Sequence, residues 1–195
     1  MNKIKVAVFA SGAGSNAEKL IQYFNQANRV AEVALIACNK RGAGVLAIAE
    51  QNNVPAIIIE KEIFFNGDAY VATLQKMHIS YIVLAGFLWK IPSRLIEAYS
   101  EKIINLHPAL LPKYGGKGMY GSFVHQAVLQ AGDTQSGITI HVVDELYDHG
   151  KHIAQIACDV LPNDTVETLA ARIHALEHQN FPSVVEQYIL SKESK

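Results

Sequence analysis

Asn105 and His107 are the two side chains in this sequence whose types and spacing best suit chemistry at a carbonyl carbon. They follow the apolar residues Ile103 and Ile104, which predict a short buried strand that ends at this point. Side chains two positions apart in a strand project from the same face, so the amide and the imidazole should point into one site. An amide N–H and a charged imidazole together can stabilise an oxyanion that develops on a carbonyl oxygen.

The surrounding chain offers this pair a rigid loop and a supply of carboxylates. Pro108 and Pro112 fix φ and disfavour helix at the residues before them. A carboxylate close to His107 would raise the pKa of its imidazole and keep it charged. The candidates are the three acidic residues of one later segment: Asp144, Glu145 and Asp148. The alternative is a proline-rich turn in which the histidine has no catalytic role.

A second candidate site is the glycine loop Ser11-Gly12-Ala13-Gly14-Ser15-Asn16, which follows an apolar strand pattern and precedes a helical one. Free N–H groups at a helix start, with the helix dipole behind them, favour an anion, and Ser15 and Asn16 can add donors or cap the helix. The loop lacks the third glycine of the dinucleotide fingerprint and the lysine of the triphosphate loop, so a monophosphate fits better. A tight strand-to-helix turn without a ligand is the alternative.

Strand and helix patterns alternate through about residue 106, which predicts a doubly wound, mostly parallel α/β sheet of Rossmann-like type. Segments at 137–143 and 152–160 predict an antiparallel C-terminal extension, and Asp164 or Thr165 should cap a last long helix. Ligands gather at the carboxyl ends of parallel strands. The glycine loop, Trp89 and the Asn105/His107 pair should therefore converge on one side of the sheet.

Several local features complete these expectations. Glu60-Lys61-Glu62 is interpreted as a solvated loop, Ser93 as a helix cap, and residues 191–195 as a fraying tail. Trp89 could form a wall for a flat aromatic ligand or pack against the next helix.

Length and composition restrict the class of protein. The 195 residues suit one domain, which we divide into a phosphate-binding half at 1–106 and a catalytic half at 107–195. A net charge of −1 gives no general basic surface, so we expect no nucleic acid partner. No apolar run approaches the roughly 20 residues of a membrane span, and the two separated cysteines favour a reducing, cytoplasmic setting without a disulfide. The spacing of His141, His149 and His152 does not favour a metal site.

Four segments resemble the phosphoribosylglycinamide formyltransferase family, the folate-dependent enzymes of de novo purine synthesis. They are Ser11 to Asn16, Leu84-Ala85-Gly86-Phe87, Asn105 to Tyr114, and His141-x-x-Asp144-Glu145-Leu146-x-Asp148. The resemblance implies a formyltransferase fold and transfer of a formyl group from 10-formyltetrahydrofolate to the amine of glycinamide ribonucleotide. It implies small-molecule partners only, no metal, and a monomer or weak homodimer. A related formyltransferase acting on a nucleotide sugar is the alternative.

Carried over residue by residue, the resemblance implies three groups of site residues. The catalytic trio would be Asn105, His107 and Asp148. The phosphate and ribose of the substrate would meet Gly14, Ser15, Asn16 and Glu177. The folate would meet Leu88, Trp89, Lys90, Ile91, Asn105, Asp144, Glu145 and Leu146.

The sequence also departs from the pattern of that family. Trp89 stands where a basic residue is common, and Gly67 where many members carry an arginine that meets the folate glutamate. The loop from Tyr114 to Gly121 is longer and richer in glycine. These departures predict a different folate wall and a different lid.

Overall fold

The computed structural model describes residues 3–194 and contains a seven-stranded mixed sheet. The strands are β1 (Ile4–Ala10), β2 (Ala31–Cys38), β3 (Ala56–Ile58), β4 (Ile79–Leu84), β5 (Ile103–His107), β6 (Gln135–Val142) and β7 (His152–Asp159). Their order is β3-β2-β1-β4-β5-β6-β7, parallel from β3 to β5 and antiparallel from β5 to β7. The predicted fold class, with its antiparallel C-terminal extension, is confirmed.

Helices cover both faces of the sheet. They are α1 (Ser15–Phe24), α2 (Gly44–Gln51), α3 (Lys61–Asn66), α4 (Ala69–Lys76), α5 (Ser93–Ala98), α6 (Ser122–Ala131) and α7 (Val166–Glu193). One apolar core joins the sheet to α1, α2, α6 and α7, and a second joins it to α3, α4 and α5. The central strand β1 is buried on both faces, as its unbroken apolar sequence predicts.

The order in which successive strands are added to the sheet reverses at β1. From β1 the chain runs outward through β2 to β3, and it then returns to place β4 on the other side of β1. The loops that leave the carboxyl ends of β1 and β4 therefore lead to helices in different apolar cores, α1 in the first and α5 in the second, and a crevice opens there, the usual ligand position in such sheets. The predicted convergence of sites has its structural basis here.

The interpretation of Glu60-Lys61-Glu62 as a loop is wrong. The three side chains are exposed as expected, but Lys61 and Glu62 form the first turn of α3, whose Phe64 is buried. Packing of this aromatic residue against the core stabilises a helix that a local cluster of charges does not indicate.

Two of the predicted helix caps are also wrong. The N-cap of α1 is Gly14 and that of α5 is Pro92, neither with a side-chain cap, while Ser15 and Ser93 are the first helical residues. Thr165 does cap α7, in a reciprocal pair of hydrogen bonds with Thr168. The helix continues to Glu193, so the predicted fraying is wrong for Ser191 to Glu193, and Lys195 lies outside the described residues. Within 3–194, no helix is both long and apolar enough to cross a membrane.

Candidate active site

The glycine loop connects β1 to α1 and requires glycine at Gly14. Its φ is 87°, and a Cβ there would lie 2.7 Å from the Cα of Val45 at the start of α2. The loop is also fixed by the Ser11 hydroxyl, which accepts a hydrogen bond from the Leu88 N–H at 2.9 Å. N–H groups of the first turn of α1 have no helical carbonyl to bond. They therefore form the donor set that the sequence predicts for an anion.

The Asn16 side chain has a different bonding role from the one that the sequence indicates. Its Nδ2 donates to Glu177 Oε2 at 2.7 Å, and its Oδ1 is buried without a partner in the described part of the chain. An amide oxygen accepts a hydrogen bond, so the unpaired Oδ1 suits a ligand hydroxyl group rather than an ionised phosphate oxygen. Glu177 is 5% exposed, and burial raises the pKa of its carboxyl although the Asn16 hydrogen bond lowers it.

Asn105 and His107 converge on one oxygen of Asp148. Asn105 Nδ2 lies 3.4 Å from Asp148 Oδ1, and His107 Nδ1 lies 3.6 Å from the same atom. The shared partner shows that the two side chains project from the same side of β5, as predicted. Of the three acidic candidates, Asp148 is thus the one that faces the histidine.

The expected rise in the pKa of His107 is wrong. His107 is 4% exposed, and burial lowers the pKa of the imidazole by more than the charge of Asp148 and the Tyr114 carbonyl raise it. Burial also raises the pKa of Asp148, but hydrogen bonds from His141 and Gly116 and the nearby imidazole charges outweigh it and lower that pKa. The pair is therefore an ionised carboxylate beside a histidine that resists protonation.

His141 belongs to the site, although the sequence indicated no catalytic role for it. It lies opposite Asn105 in the β5–β6 register, and its Nε2 is 3.0 Å from Asn105 Nδ2. Its Nδ1 is 2.9 Å from the Val142 carbonyl, which can only accept, so Nδ1 carries a proton. Its Nε2 also lies 3.6 Å from Asp148 Oδ1, so it faces both the amide and the carboxylate. The signal that could have revealed this contact is antiparallel pairing of β6 with β5.

Asp144 and Glu145, the other two acidic candidates, bond to groups other than His107. Asp144 accepts the Leu146 N–H at 2.9 Å and lies 3.4 Å from His149, and Glu145 accepts the Ser93 hydroxyl at 2.9 Å. Residues 3–194 contain no group of three or more His, Cys, Asp or Glu side chains placed to hold a metal ion.

A cavity of about 800 Å³ joins the glycine loop to the Asn105/His107 pair. Of the residues expected to meet the folate, Glu145 is not part of its lining. The remaining ones line it: Leu88, Trp89, Lys90, Ile91, Asn105, Asp144 and Leu146. Trp89 also packs against Phe64 and Phe65 of α3, with ring centroids 5.9 and 5.7 Å apart.

At the other end of the cavity, two histidines lie beside Glu177. His125 of α6 is 2% exposed with no partner for Nδ1 among the described residues, and His174 of α7 is exposed. Neither was predicted, because both lie on helices that meet only in the tertiary fold.

Comparison with known proteins decides the family. The model of the formyl transferase family matches residues 4–185. The phosphoribosylglycinamide formyltransferase of Bacillus subtilis is 39% identical over 189 residues, which cover 95% of this chain and 94% of that protein. The chain belongs to the phosphoribosylglycinamide formyltransferase family.

Other phosphoribosylglycinamide formyltransferases agree in sequence and in structure. The crystal structure of the Bacillus halodurans protein superimposes with a TM-score of 0.86 at 34% identity and covers 97% of this chain and 96% of that one. The chloroplastic protein of Arabidopsis thaliana is 41% identical over 186 residues, or 93% of this chain. The chain spans 64% of the length of that plant relative, less than two thirds.

Proposed function

We propose that this protein transfers a formyl group from 10-formyltetrahydrofolate to the amine of glycinamide ribonucleotide, in de novo purine biosynthesis. The observation that carries the proposal is one continuous cavity with helix N–H donors at one end and Asn105, His107 and Asp148 beside it. A phosphorylated acceptor and a flat folate ring can therefore meet at the amide and imidazole.

The acceptor is held by its phosphate and its sugar. Backbone N–H groups at Gly14, Ser15 and Asn16 bind the phosphate, helped by the dipole of α1. Glu177 binds a ribose hydroxyl, and the free Oδ1 of Asn16 accepts a second hydroxyl hydrogen bond. The 10-formyltetrahydrofolate lies between the 88–91 segment and the 144–148 loop, beside the ring of Trp89.

Formyl transfer begins when the amine nitrogen attacks the formyl carbon. The carbonyl electrons move to oxygen, and Asn105 Nδ2 stabilises the oxyanion after giving up its long 3.4 Å contact with Asp148. The amine proton passes through Asp148 and water to Nδ1 of His107, and the new positive charge on the imidazole offsets the negative charge of the oxyanion. When the intermediate collapses, this proton goes to N10 of the departing tetrahydrofolate.

This reaction assigns no role to a metal ion. We also propose that residues 1–195 act as one cytoplasmic domain, a monomer or weak homodimer, without a nucleic acid or membrane partner. Each ligand would contact both halves of the chain. The folate would contact the 88–91 segment and the 144–148 loop, and the acceptor would contact the glycine loop and Glu177.

A turnover assay tests the proposed function. Purified protein is mixed with a 10-formyl folate and glycinamide ribonucleotide, and release of the deformylated folate is followed by absorbance. A matched reaction replaces the acceptor with an amino sugar nucleotide. We expect turnover with the ribonucleotide only. Turnover with the sugar nucleotide alone would contradict the proposal and favour the alternative acceptor.

A further inference from the structure

The segment 113–116 contacts both members of the histidine–carboxylate pair through its backbone. The Tyr114 carbonyl accepts from His107 Nε2 at 2.7 Å, and the Gly116 N–H donates to Asp148 Oδ2 at 2.9 Å. Because a carbonyl can only accept, the first bond places a proton on Nε2 and turns Nδ1 toward Asp148. The segment therefore fixes the tautomer and the orientation of the imidazole.

The backbone here adopts an unfavourable conformation. Tyr114 and Asp148 have φ values of 56° and 55°, in the left-handed region that side chains with a Cβ rarely adopt. Between them, the chain passes so close that a Cβ on Gly115 would lie 2.6 Å from Leu111 Cδ2 and 3.3 Å from Asp148 Cβ. Such strain persists only where the surrounding contacts maintain it.

Side chains of the same segment hold the backbone in this conformation by contacting Asp133. The Tyr114 hydroxyl donates to Asp133 Oδ2 at 2.8 Å, and Lys113 Nζ lies 3.0 and 3.2 Å from the two oxygens of the same carboxylate. Asp133 belongs to the turn between α6 and β6, on an element separate from the site. Tyr114 is outside the lining of the large cavity in the part of the chain described here.

We propose that Tyr114 is a positioning residue, tethered by Asp133 so that its carbonyl holds His107 with Nδ1 facing Asp148. The catalytic part of this inference rests on the proposed function, in which the His107 imidazole carries the proton. It predicts that loss of the tether slows the chemical step and leaves substrate binding nearly unchanged.

The test compares Tyr114→Phe with Tyr188→Phe. The control removes a hydroxyl that donates to the Glu101 carbonyl at 2.8 Å, on the outer part of α7. Ring nitrogens of histidines are observed by ¹⁵N NMR across a pH titration, and the His107 signals are assigned as those missing in His107→Gln. Turnover gives kcat and KM for the same proteins.

We expect the wild type and the control to show His107 as the Nε2–H tautomer. Tyr114→Phe should show a mixture of tautomers, a shifted titration midpoint and a kcat lower by about tenfold, with KM within about twofold. An unchanged His107 signal in Tyr114→Phe would overturn the proposal, as would a rise in KM with kcat unchanged.

Two further comparisons cover the cases in which Tyr114→Phe does not fold or the wild type is inactive. If circular dichroism shows that Tyr114→Phe has lost its fold, Asp133→Ala removes the same tether from the other side and must give the same tautomer change. If the wild type shows no turnover with glycinamide ribonucleotide, the proposed function fails, while the tautomer comparison still decides the role of Tyr114.

Discussion

At the scale of single residues, burial lowers the pKa of two histidines that line the cavity, His107 and His125. Burial dominates at His107 even with Asp148 3.6 Å away, so the pKa falls. At His125, burial and the positive charge of His174 act in the same direction and lower the pKa to about 4. Both histidines are therefore neutral in the folded protein over a range in which an unfolded chain binds protons.

The lowered pKa of His125 predicts a pH-dependent stability. Between its ordinary pKa of 6.5 and the folded value of about 4, the unfolded state binds a proton that the folded state does not. The unfolding free energy should therefore fall as the pH is lowered through this range. From pH 7.5 to 5.0, His125→Gln should lose less stability than the wild type, by on the order of 1 kcal/mol.

Urea denaturation at the two pH values measures this difference. The exposed His152 of β7 gives a matched control, since His152→Gln removes a histidine from the surface. The interpretation is contradicted if both substitutions leave the pH dependence of the wild type unaltered.

At the scale of elements, the glycine loop and α1 form the end of the cavity where we propose that the phosphate binds, called the phosphate end below. Gly14 combines a positive φ with close packing on Val45, whereas a Cβ on Gly12 would meet no atom within 4 Å. Position 14 thus fixes the direction in which the first N–H groups of α1 point.

Gly14→Ala should weaken binding of glycinamide ribonucleotide, because the added Cβ displaces the loop from α2 and turns the N–H donors. We expect an affinity loss of about tenfold or more. Isothermal titration calorimetry measures the affinity, with Gly12→Ala as the matched substitution and a smaller expected effect. Equal losses in the two variants would show that the direction of these donors does not depend on Gly14.

The strands could be predicted from the sequence, whereas one helix and two backbone contacts of the site could not. Apolar runs and their order along the chain were sufficient for β1 to β7 and for the side of the sheet on which the site lies. They were not sufficient for α3, because its stability comes from burial of Phe64 against the core. The hydrogen bonds of the Tyr114 carbonyl and the Gly116 N–H could not be predicted either. Every residue has these backbone groups, so the amino-acid types of an irregular loop do not indicate which of them bond to the site.

At the scale of the whole molecule, the proposed phosphate site and the proposed catalytic residues lie on different strands of the sheet. The phosphate end follows β1, while Asn105 and His107 belong to β5, two strands away in the order β1-β4-β5. The loops after β1 and β4 are joined by the Ser11–Leu88 hydrogen bond, so the cavity is continuous although its ends are distinct. A change at one end should therefore leave the other nearly intact.

His107→Gln separates the proposed proton transfer from substrate binding when turnover and ribonucleotide binding are measured on the same protein. The substitution removes the imidazole that we propose carries the proton, and it changes no residue of the glycine loop. Turnover should fall by about 10³ or more, with the dissociation constant for glycinamide ribonucleotide within about threefold of the wild type. Turnover retained within tenfold of the wild type would contradict the proposed role of His107.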